Sequence, residues 1–388
     1  MSKIINIPKL RFKEFSGVWE DKLIGQILTV GSGKDYKHLS NGDIPVYGTG
    51  GYMLSVNDYL YDGESVGIGR KGTIDKPIFL TGKFWTVDTL FYTHSFKNSV
   101  PKFIYSIFQR INWKLYNEAS GVPSLSKSTI EKIKIFIPSK HEQEKIASFL
   151  ISIDTRIEQL TKKEELLQQY KKGVMQKIFN QEIRFKDDDG SEFCEWEEKT
   201  IDKLPILISD GNYGELYPTS DDFKPNGVPF LRANNIKNLK IDTSDTKYIS
   251  EEQHSTLTAG HLLTNDILIT TRGELGNLAL IENEHNSSNI NAQICLLRIT
   301  DTSKLNYLYL LYALDYRDSK KQYKAFETGT ALKQLPKGNL KKVKLKVPCL
   351  EEQTKIANFL SSTDNKIEQV QKQLNFIKEF KKALLHQM

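Results

Sequence analysis

A chain of 388 residues with 39% hydrophobic and 26% charged side chains has enough apolar material for two or three domains, each with a core of its own. No run nears the ~18 consecutive apolar residues of a membrane span, and the opening MSKIINIPKLRFKEF lacks the apolar stretch and cleavage site of a signal peptide, so a cytoplasmic protein with no membrane partner is expected. The net charge of +6 is compatible with a polyanionic partner. Cys194, Cys295 and Cys349 lie far apart, which argues against a disulfide framework and against a zinc site. The seven histidines are scattered; His254 and His261, the closest pair, fit no HExxH pattern, and all are expected at the surface.

The first stretch, Pro8 to Trp19 (PKLRFKEFSGVW), has a relative at Ile183 to Trp196 (IRFKDDDGSEFCEW), with Arg11-Phe12-Lys13 and Arg184-Phe185-Lys186 corresponding at an offset of 173. In the later copy, Asp187-Asp188-Asp189-Gly190 lacks the alternating ligands and terminal Glu of a calcium loop and reads as a solvated turn. From Leu23 to Ile137, short β-branched or aromatic runs (Ile44–Tyr47, Ser65–Ile68, Ile78–Leu80, Thr86–Tyr92) are separated by Gly, Asn and Asp, the pattern of strands and turns. Gly31-Ser32-Gly33-Lys34 is followed by Asp35 and is no Walker A. Gly67-Ile68-Gly69-Arg70-Lys71-Gly72 matches G-x-G-x-x-G, but a dinucleotide site needs a helix to begin there, and the following Thr73 to Phe79 reads as turn and strand. What remains is an Arg-Lys pair on a glycine-flanked turn, suited to a guanine edge or a phosphate and equally to a solvated hairpin tip. Pro101 to Tyr116 opens with Pro and has helical spacing, and Ile130–Ile137 reads as a strand ended by Pro138.

A long helix then runs from Glu142 to Phe179, opened by a Ser139-x-x-Glu142 capping box, and the chain repeats it. Glu142–Gln159 and Glu352–Gln369 agree at 12 of 18 positions at a constant offset of 210, so the chain is an internal duplication. Cys349 replaces Ser139 in the second copy, whose cap should be weaker. Apolar positions recur in steps of three and four at Ile146, Leu150, Ile153, Ile157, Leu160, Leu167 and Val174, and again at Ile356, Leu360, Ile367, Val370, Leu374, Ile377 and Leu384. Such heptad seams specify a coiled coil. Glu164, Lys171, Thr363 and Lys381 interrupt them, read as snorkelling at the seam's end or as register fixing.

Between the helices, Ile201 to Val347 forms a second globular domain. Phe230-Leu231-Arg232-Ala233-Asn234-Asn235 and Asp266–Gly273 are strands running into Arg, Asn or Gly; Leu305–Ala325 mirrors Pro101–Tyr116; and Leu335-Pro336-Lys337 mirrors Leu125-Ser126-Lys127. Neither a nucleophile elbow nor the Asn-Pro-Pro-aromatic run of an amino-methyltransferase occurs, so a non-catalytic binding module is expected. The expected fold is α+β (mixed α/β): globular domains at 1–137 and 181–346, long antiparallel coiled-coil helices at 138–180 and 347–388, and a pseudo-twofold internal repeat. Helices of this length span roughly 55 Å. Two unlike heads on such a spacer suit an asymmetric, bipartite duplex site whose half-sites recur every ~34–36 Å; a coiled-coil scaffold whose end domains bind protein is the alternative.

These residues together resemble the specificity subunits of type I restriction-modification systems. The likeness rests on the LRF…W segments (Arg11, Phe12, Trp19; Arg184, Phe185, Trp196), on YGTGGY, DGESVGIGRKGTI and FWTVDTLFY in the first half, on FLRANNI and DILITTRGELGN in the second, and on the Pro-x-x-x-Glu-Gln-x-Lys-Ile-Ala openings at Pro138 and Pro348. It implies two target-recognition domains joined by conserved helices, with modification subunits docked on the helical spacer through the apolar seam. It also implies that those partners carry S-adenosylmethionine, that restriction subunits carry ATP, Mg and DNA cleavage, and that this chain itself holds no cofactor or metal. Under that reading, Lys34, Tyr36, Thr49, Arg70, Lys71 and Thr73 in domain one and Arg232, Asn234, Asn235, Arg272 and Asn277 in domain two are the candidate contacts to double-stranded DNA. Arg and Lys suit guanine and Asn suits adenine, a phosphate contact or a structural turn being equally open for each. Lys127 and Lys337 are candidate phosphate anchors.

Overall fold

The β-branched runs between Leu23 and Ile137 pair as strands, and the duplicated heptads coil as two helices of 40 and 38 residues, Lys140–Phe179 and Leu350–Gln387. The computed structural model describes residues 8–211, 213–214 and 217–387. Packing divides the chain into two units, 1–163 with 370–388, and 164–369. The division falls inside both long helices, whereas the sequence set them apart as spacers; each half-helix shares the core of the unit it belongs to.

In the first unit an antiparallel sheet runs in the order Thr29–Ser32, Leu90–His94, Ser65–Gly69, Ile78–Leu80. A mixed sheet runs Gly51–Val56, Asn41–Gly48, Lys83–Thr86, Tyr61–Asp62. Ser65–Gly69 is buried at every position, and a Cβ on Gly69 would lie 2.1 Å from the Thr73 carbonyl oxygen. The G-x-G-x-x-G run is thus a packed strand entering a turn, with no phosphate-binding helix after it. Thr86–Tyr92, expected as one strand, is split by a turn in which the Leu90 amide donates to Val87 O at 2.9 Å, and its two ends serve different sheets.

The helix expected over Pro101–Tyr116 stops at Arg110 and resumes as a 3-10 turn, Trp113–Tyr116. The buried Trp113 folds back, its indole N–H donating to Phe108 O at 2.8 Å, which a continuous helix would forbid. Ile130–Ile137 is likewise divided. Ser126 caps a short helix, Lys127–Glu131, by accepting from the Thr129 amide, so local capping overrides strand propensity; only Lys134–Ile137 pairs, with Glu20–Leu23. Ile146, Ala147, Leu150 and Ile153 of the first long helix and Leu384 of the second complete this core around Trp19, Phe103 and Phe108.

The second unit repeats the plan. An antiparallel sheet runs Ile206–Asp210, Ile294–Ile299, Ile267–Thr270, Leu278–Leu280, and a smaller one runs Lys247–Ile249, Val228–Leu231, Asn289–Ile290. The helix expected over Leu305–Ala325 is two, Tyr307–Asp315 and Arg317–Ala325. They break at Tyr316, whose ring stacks on Phe179 at 4.9 Å and whose hydroxyl donates to Asn180 at 2.7 Å.

The repeated Glu-Gln at each helix start locks that helix to its domain. Arg11 forks onto buried Glu142 at 2.7 and 2.6 Å, and the Trp19 indole donates to the same carboxylate at 3.3 Å. Arg184 and Trp196 hold Glu352 in the same way. Gln143 accepts from the Val100 amide and donates to Asn98 O and Pro138 O; Gln353 accepts from Asn306 and donates to Lys304 O and Pro348 O. The capping box is therefore only half made: Ser139 accepts from the Glu142 amide at 3.4 Å, while the Glu142 side chain is committed to Arg11.

Two of the interruptions of the seam, Lys381 and Lys171, form ion pairs, while the buried Thr363 hydroxyl donates to Phe359 O one turn back. Lys381 meets Asp154 at 2.6 Å in the first unit and Lys171 meets Asp364 at 2.6 Å in the second. The offset of 210 converts one pair into the other, and both have the N-terminal part of one long helix beside the C-terminal part of the other, the antiparallel arrangement. Seam positions Ile146, Leu150, Ile153, Leu160, Ile356, Leu360, Ile367, Val370 and Leu374 are buried, with Ile157, Leu167 and Ile377 half-buried. They are consumed by packing within the chain. The apolar surface the helices leave exposed is instead Ile151, Leu166, Tyr170, Phe376 and Phe380.

Candidate nucleic-acid interface

Each unit presents a basic turn at the end of its buried central strand, and the two are built alike. In the first, the Arg70 amide donates to Thr89 O at 2.7 Å, the Leu125 amide to Arg70 O at 2.9 Å, and the Gly72 amide to Pro123 O at 2.8 Å. In the second, the Thr271 amide donates to Gln293 O at 2.8 Å and the Leu335 amide to Thr271 O at 2.9 Å. Lys71 bridges Ser124 as Arg272 bridges Gln334. Arg272 therefore stands where Lys71 stands, and Thr271 where Arg70 stands. Gly72 and Gly273 follow with φ of 86° and 79°, a conformation that disfavours any side chain. The turn thus projects its cation clear of its own backbone.

The guanidinium groups rest on aromatic faces, Arg70 over Phe91 at 5.9 Å and Arg272 over Tyr213 at 5.3 Å. Such stacking orients the fork while leaving N–H donors for a ligand. Around the first turn, Thr49 on the neighbouring hairpin tip lies 3.9 Å from where a Gly72 Cβ would be. Lys34 is exposed beside the same strand ends, its amide donating to Thr86 O and its carbonyl accepting from the Trp85 indole. The structure thus brings Thr49, Arg70 and Lys71 together, with Lys34 on the adjoining loop. Tyr36 departs from expectation, being half-buried against the cluster of Val46, Val56 and Trp85. Thr73 serves through its backbone, as the carbonyl packed on Gly69. Lys127 begins its short helix and has no ion pair among the described residues.

In the second unit Lys337 pairs with Asp210 at 2.8 Å, and that hydrogen bond raises its pKa. Asp210 also accepts from the buried Cys295 thiol at 2.6 Å, whose pKa burial pushes up. The Asn277 side-chain amide donates to the exposed Glu274 at 3.2 Å. The Arg232-Ala233-Asn234-Asn235 group behaves differently from expectation. Asn235 is 1% exposed; it accepts from the Arg232 amide and donates to Asp242 O, so it holds a turn. Arg232 and Asn234 are both tethered to Asp245, at 2.7 and 3.2 Å. Asp245 lies too far along the chain for residue pattern to reveal it, as does Tyr213 beneath Arg272.

His254 and His261 meet edge to face with ring centroids 4.5 Å apart, both half-buried, and His285 is buried, so the expectation that every histidine lies at the surface is corrected. Among the described residues no three His, Cys, Asp or Glu side chains are grouped to hold a metal, and no helix is long and apolar enough to cross a membrane. Asp187–Gly190 is a turn, with Gly190 at φ 87° and Asp188 paired to Lys355.

Residues 17–168 and 195–379 match the family described as the type I restriction modification DNA specificity domain. Over 348 residues the chain is 26% identical to the type I restriction enzyme MjaVIII specificity subunit of Methanocaldococcus jannaschii, covering 86% of this chain and 78% of that one. Among solved structures, the S subunit of a type I restriction-modification system from M. genitalium superposes with a TM-score of 0.68 at 15% identity, over 98% of both chains. A chain from a study of complex assembly and conformational transition in the type I system superposes at 0.55, also at 15% identity, over 96% of this chain and 98% of that one. These structural likenesses speak for the fold.

Proposed function

We propose, because this chain belongs to the type I restriction modification DNA specificity family, that it is the non-catalytic, cytoplasmic subunit that chooses the DNA sequence for a modification and restriction complex. Each unit reads one half of an asymmetric bipartite site, and the helices set the separation of the halves. The observation that carries this reading is the basic turn made twice, Arg70-Lys71-Gly72 and Thr271-Arg272-Gly273, on one backbone scheme with different side chains. One frame with two chemistries is what two unlike half-sites require.

Arg70, Lys71 and Arg272 are the base-reading candidates, because their cations are presented on turns and pair with no carboxylate among the described residues. Arg232 and Asn234 join them only by releasing Asp245. Lys34 and Lys127 suit phosphates, and Thr49 a polar contact beside Arg70. Modification subunits dock on the exposed helix residues Leu166, Tyr170, Phe376 and Phe380 and bring S-adenosylmethionine; restriction subunits bring ATP and Mg. Methylome sequencing of cells carrying the chain with its modification partner is expected to show a split motif that disappears with the chain. Arg70→Ala should relax one half of that motif and Arg272→Ala the other, each costing about 1–3 kcal/mol of discrimination. Methylation without any split motif dependent on this chain would refute the reading.

A further inference from the structure

Val122 and Leu332 occupy one position of the repeat, 210 residues apart. Val122 is 65% exposed and Leu332 79%. A single exposed apolar side chain ordinarily needs no explanation. These two differ in where they are held and in being held twice.

Each lies on the loop that braces the basic turn of its own unit. Beside Val122, Pro123 O accepts from the Gly72 amide, Ser124 bridges Lys71, and the Ser124 carbonyl accepts from the Glu118 amide at 3.0 Å. Beside Leu332, Gln334 bridges Arg272 and exchanges backbone hydrogen bonds with Thr328 at 2.8 and 2.9 Å, while Lys333 pairs with Glu327 at 2.9 Å. Buried Leu125 and Leu335 anchor the far end of each loop. The residues around the pair differ between the copies, Gly121, Pro123 and Ser124 against Ala331, Lys333 and Gln334, yet this position is apolar and exposed in both, and in both it stands two residues before the one bridged to the turn's cationic residue, Lys71 or Arg272.

On the DNA-reading function proposed above, we infer that Val122 and Leu332 are specificity-determining residues that each press a nonpolar side chain against the bases of their half-site. Cations at a phosphate give affinity without sequence. A nonpolar group discriminates, either by meeting the C5-methyl of thymine in the major groove or by wedging at a base step. A braced loop beside the arginine turn places such a group where the turn meets the duplex.

The test uses the full chain assembled with its modification subunits, with cognate duplex, duplexes altered in one half-site, and unrelated duplex as probes. Val122→Ser and Leu332→Ser should each lower the preference for the cognate sequence in one half-site about tenfold, with affinity for unrelated duplex held. Val122→Ile should retain the preference, and Val18→Ser, at a residue 61% exposed elsewhere in the first unit, should change nothing. Deoxyuridine in place of thymine, or a brightening 2-aminopurine, then distinguishes a methyl contact from an opened step. Unchanged preference, or an equal loss on cognate and unrelated duplex, overturns the inference while leaving the reading beneath it standing. If the unaltered complex shows no sequence preference, that reading fails and takes this one with it.

Discussion

Glu142 and Glu352 are each almost fully buried and each satisfied by one arginine fork and one indole. Removing one partner of such a pair leaves a buried charge alone, at a cost of roughly 3–5 kcal/mol. Arg184→Ala, which strips the fully buried Glu352 of its cation, should therefore lower the unfolding midpoint, with hydrogen exchange accelerating across 184–200 and the start of the second long helix; protection unchanged there would show that the fork carries no stability. Asn235 gives a complementary expectation. Its amide closes the turn between Arg232 and Asp242, so Asn235→Ala should cost about 1–3 kcal/mol in chemical denaturation and leave the methylated sequence unaltered. A changed motif would return Asn235 to the recognition surface. Single-sequence reading could not separate it from Asn234, because both stand in one polar run and only the fold decides which amide its neighbours consume.

At the scale of elements, the long helices were legible almost to the residue, because apolar spacing and helix length agree over many turns. The shorter elements were misjudged wherever a single side-chain contact, local or long-range, ended them: Trp113 folding onto Phe108, Ser126 capping Lys127–Glu131, Tyr316 stacking on Phe179. The seam ion pairs belong to this scale also. Replacing Lys381 and Asp154 together by Leu should hold or raise thermal stability, since a partly buried pair often loses to apolar packing, whereas Asp364 of the other pair also accepts from the buried Tyr312 hydroxyl. Cysteine cross-links along the helices should then report more than one register in the double variant; a single register throughout would remove the register-fixing role. The helix Glu251–Thr256 carries a pH dependence. Burial, and next the neighbouring His261, lower the His254 pKa below 6.5, with Glu251 opposing. As pH falls through that region the unfolded chain takes up a proton that the folded one resists, so stability declines toward acid. Protection factors of amides in 251–262, taken relative to the base-catalysed intrinsic rate, should fall between pH 7.5 and 5.5, and His254→Gln should flatten that response.

At the scale of the whole molecule, the duplicated frame could be read from sequence because the residues that lock each helix to its domain, Arg11 with Glu142 and Arg184 with Glu352, are the ones repeated. The proposed reading surface could be marked in the sequence only where glycine flanked a projecting turn. The proposed spacing role can be tested through the same duplication. Four residues added to the first long helix alone, about 6 Å of rise, shift that helix against the other and must break either Asp154–Lys381 or Lys171–Asp364 from its register, so loss of activity there is ambiguous. A whole heptad added to both helices, after Lys163 and after Gln371, falls between the two ion pairs and keeps the seam positions on either side facing their partners. It adds about 10.5 Å, or roughly three base pairs at ~3.4 Å each. The double insertion should fold with unchanged thermal stability, and methylome sequencing should return the same two half-sites with a gap about three base pairs longer. The original gap, retained by a stable double-insertion variant, would mean that the helices join the reading units without setting their separation on DNA.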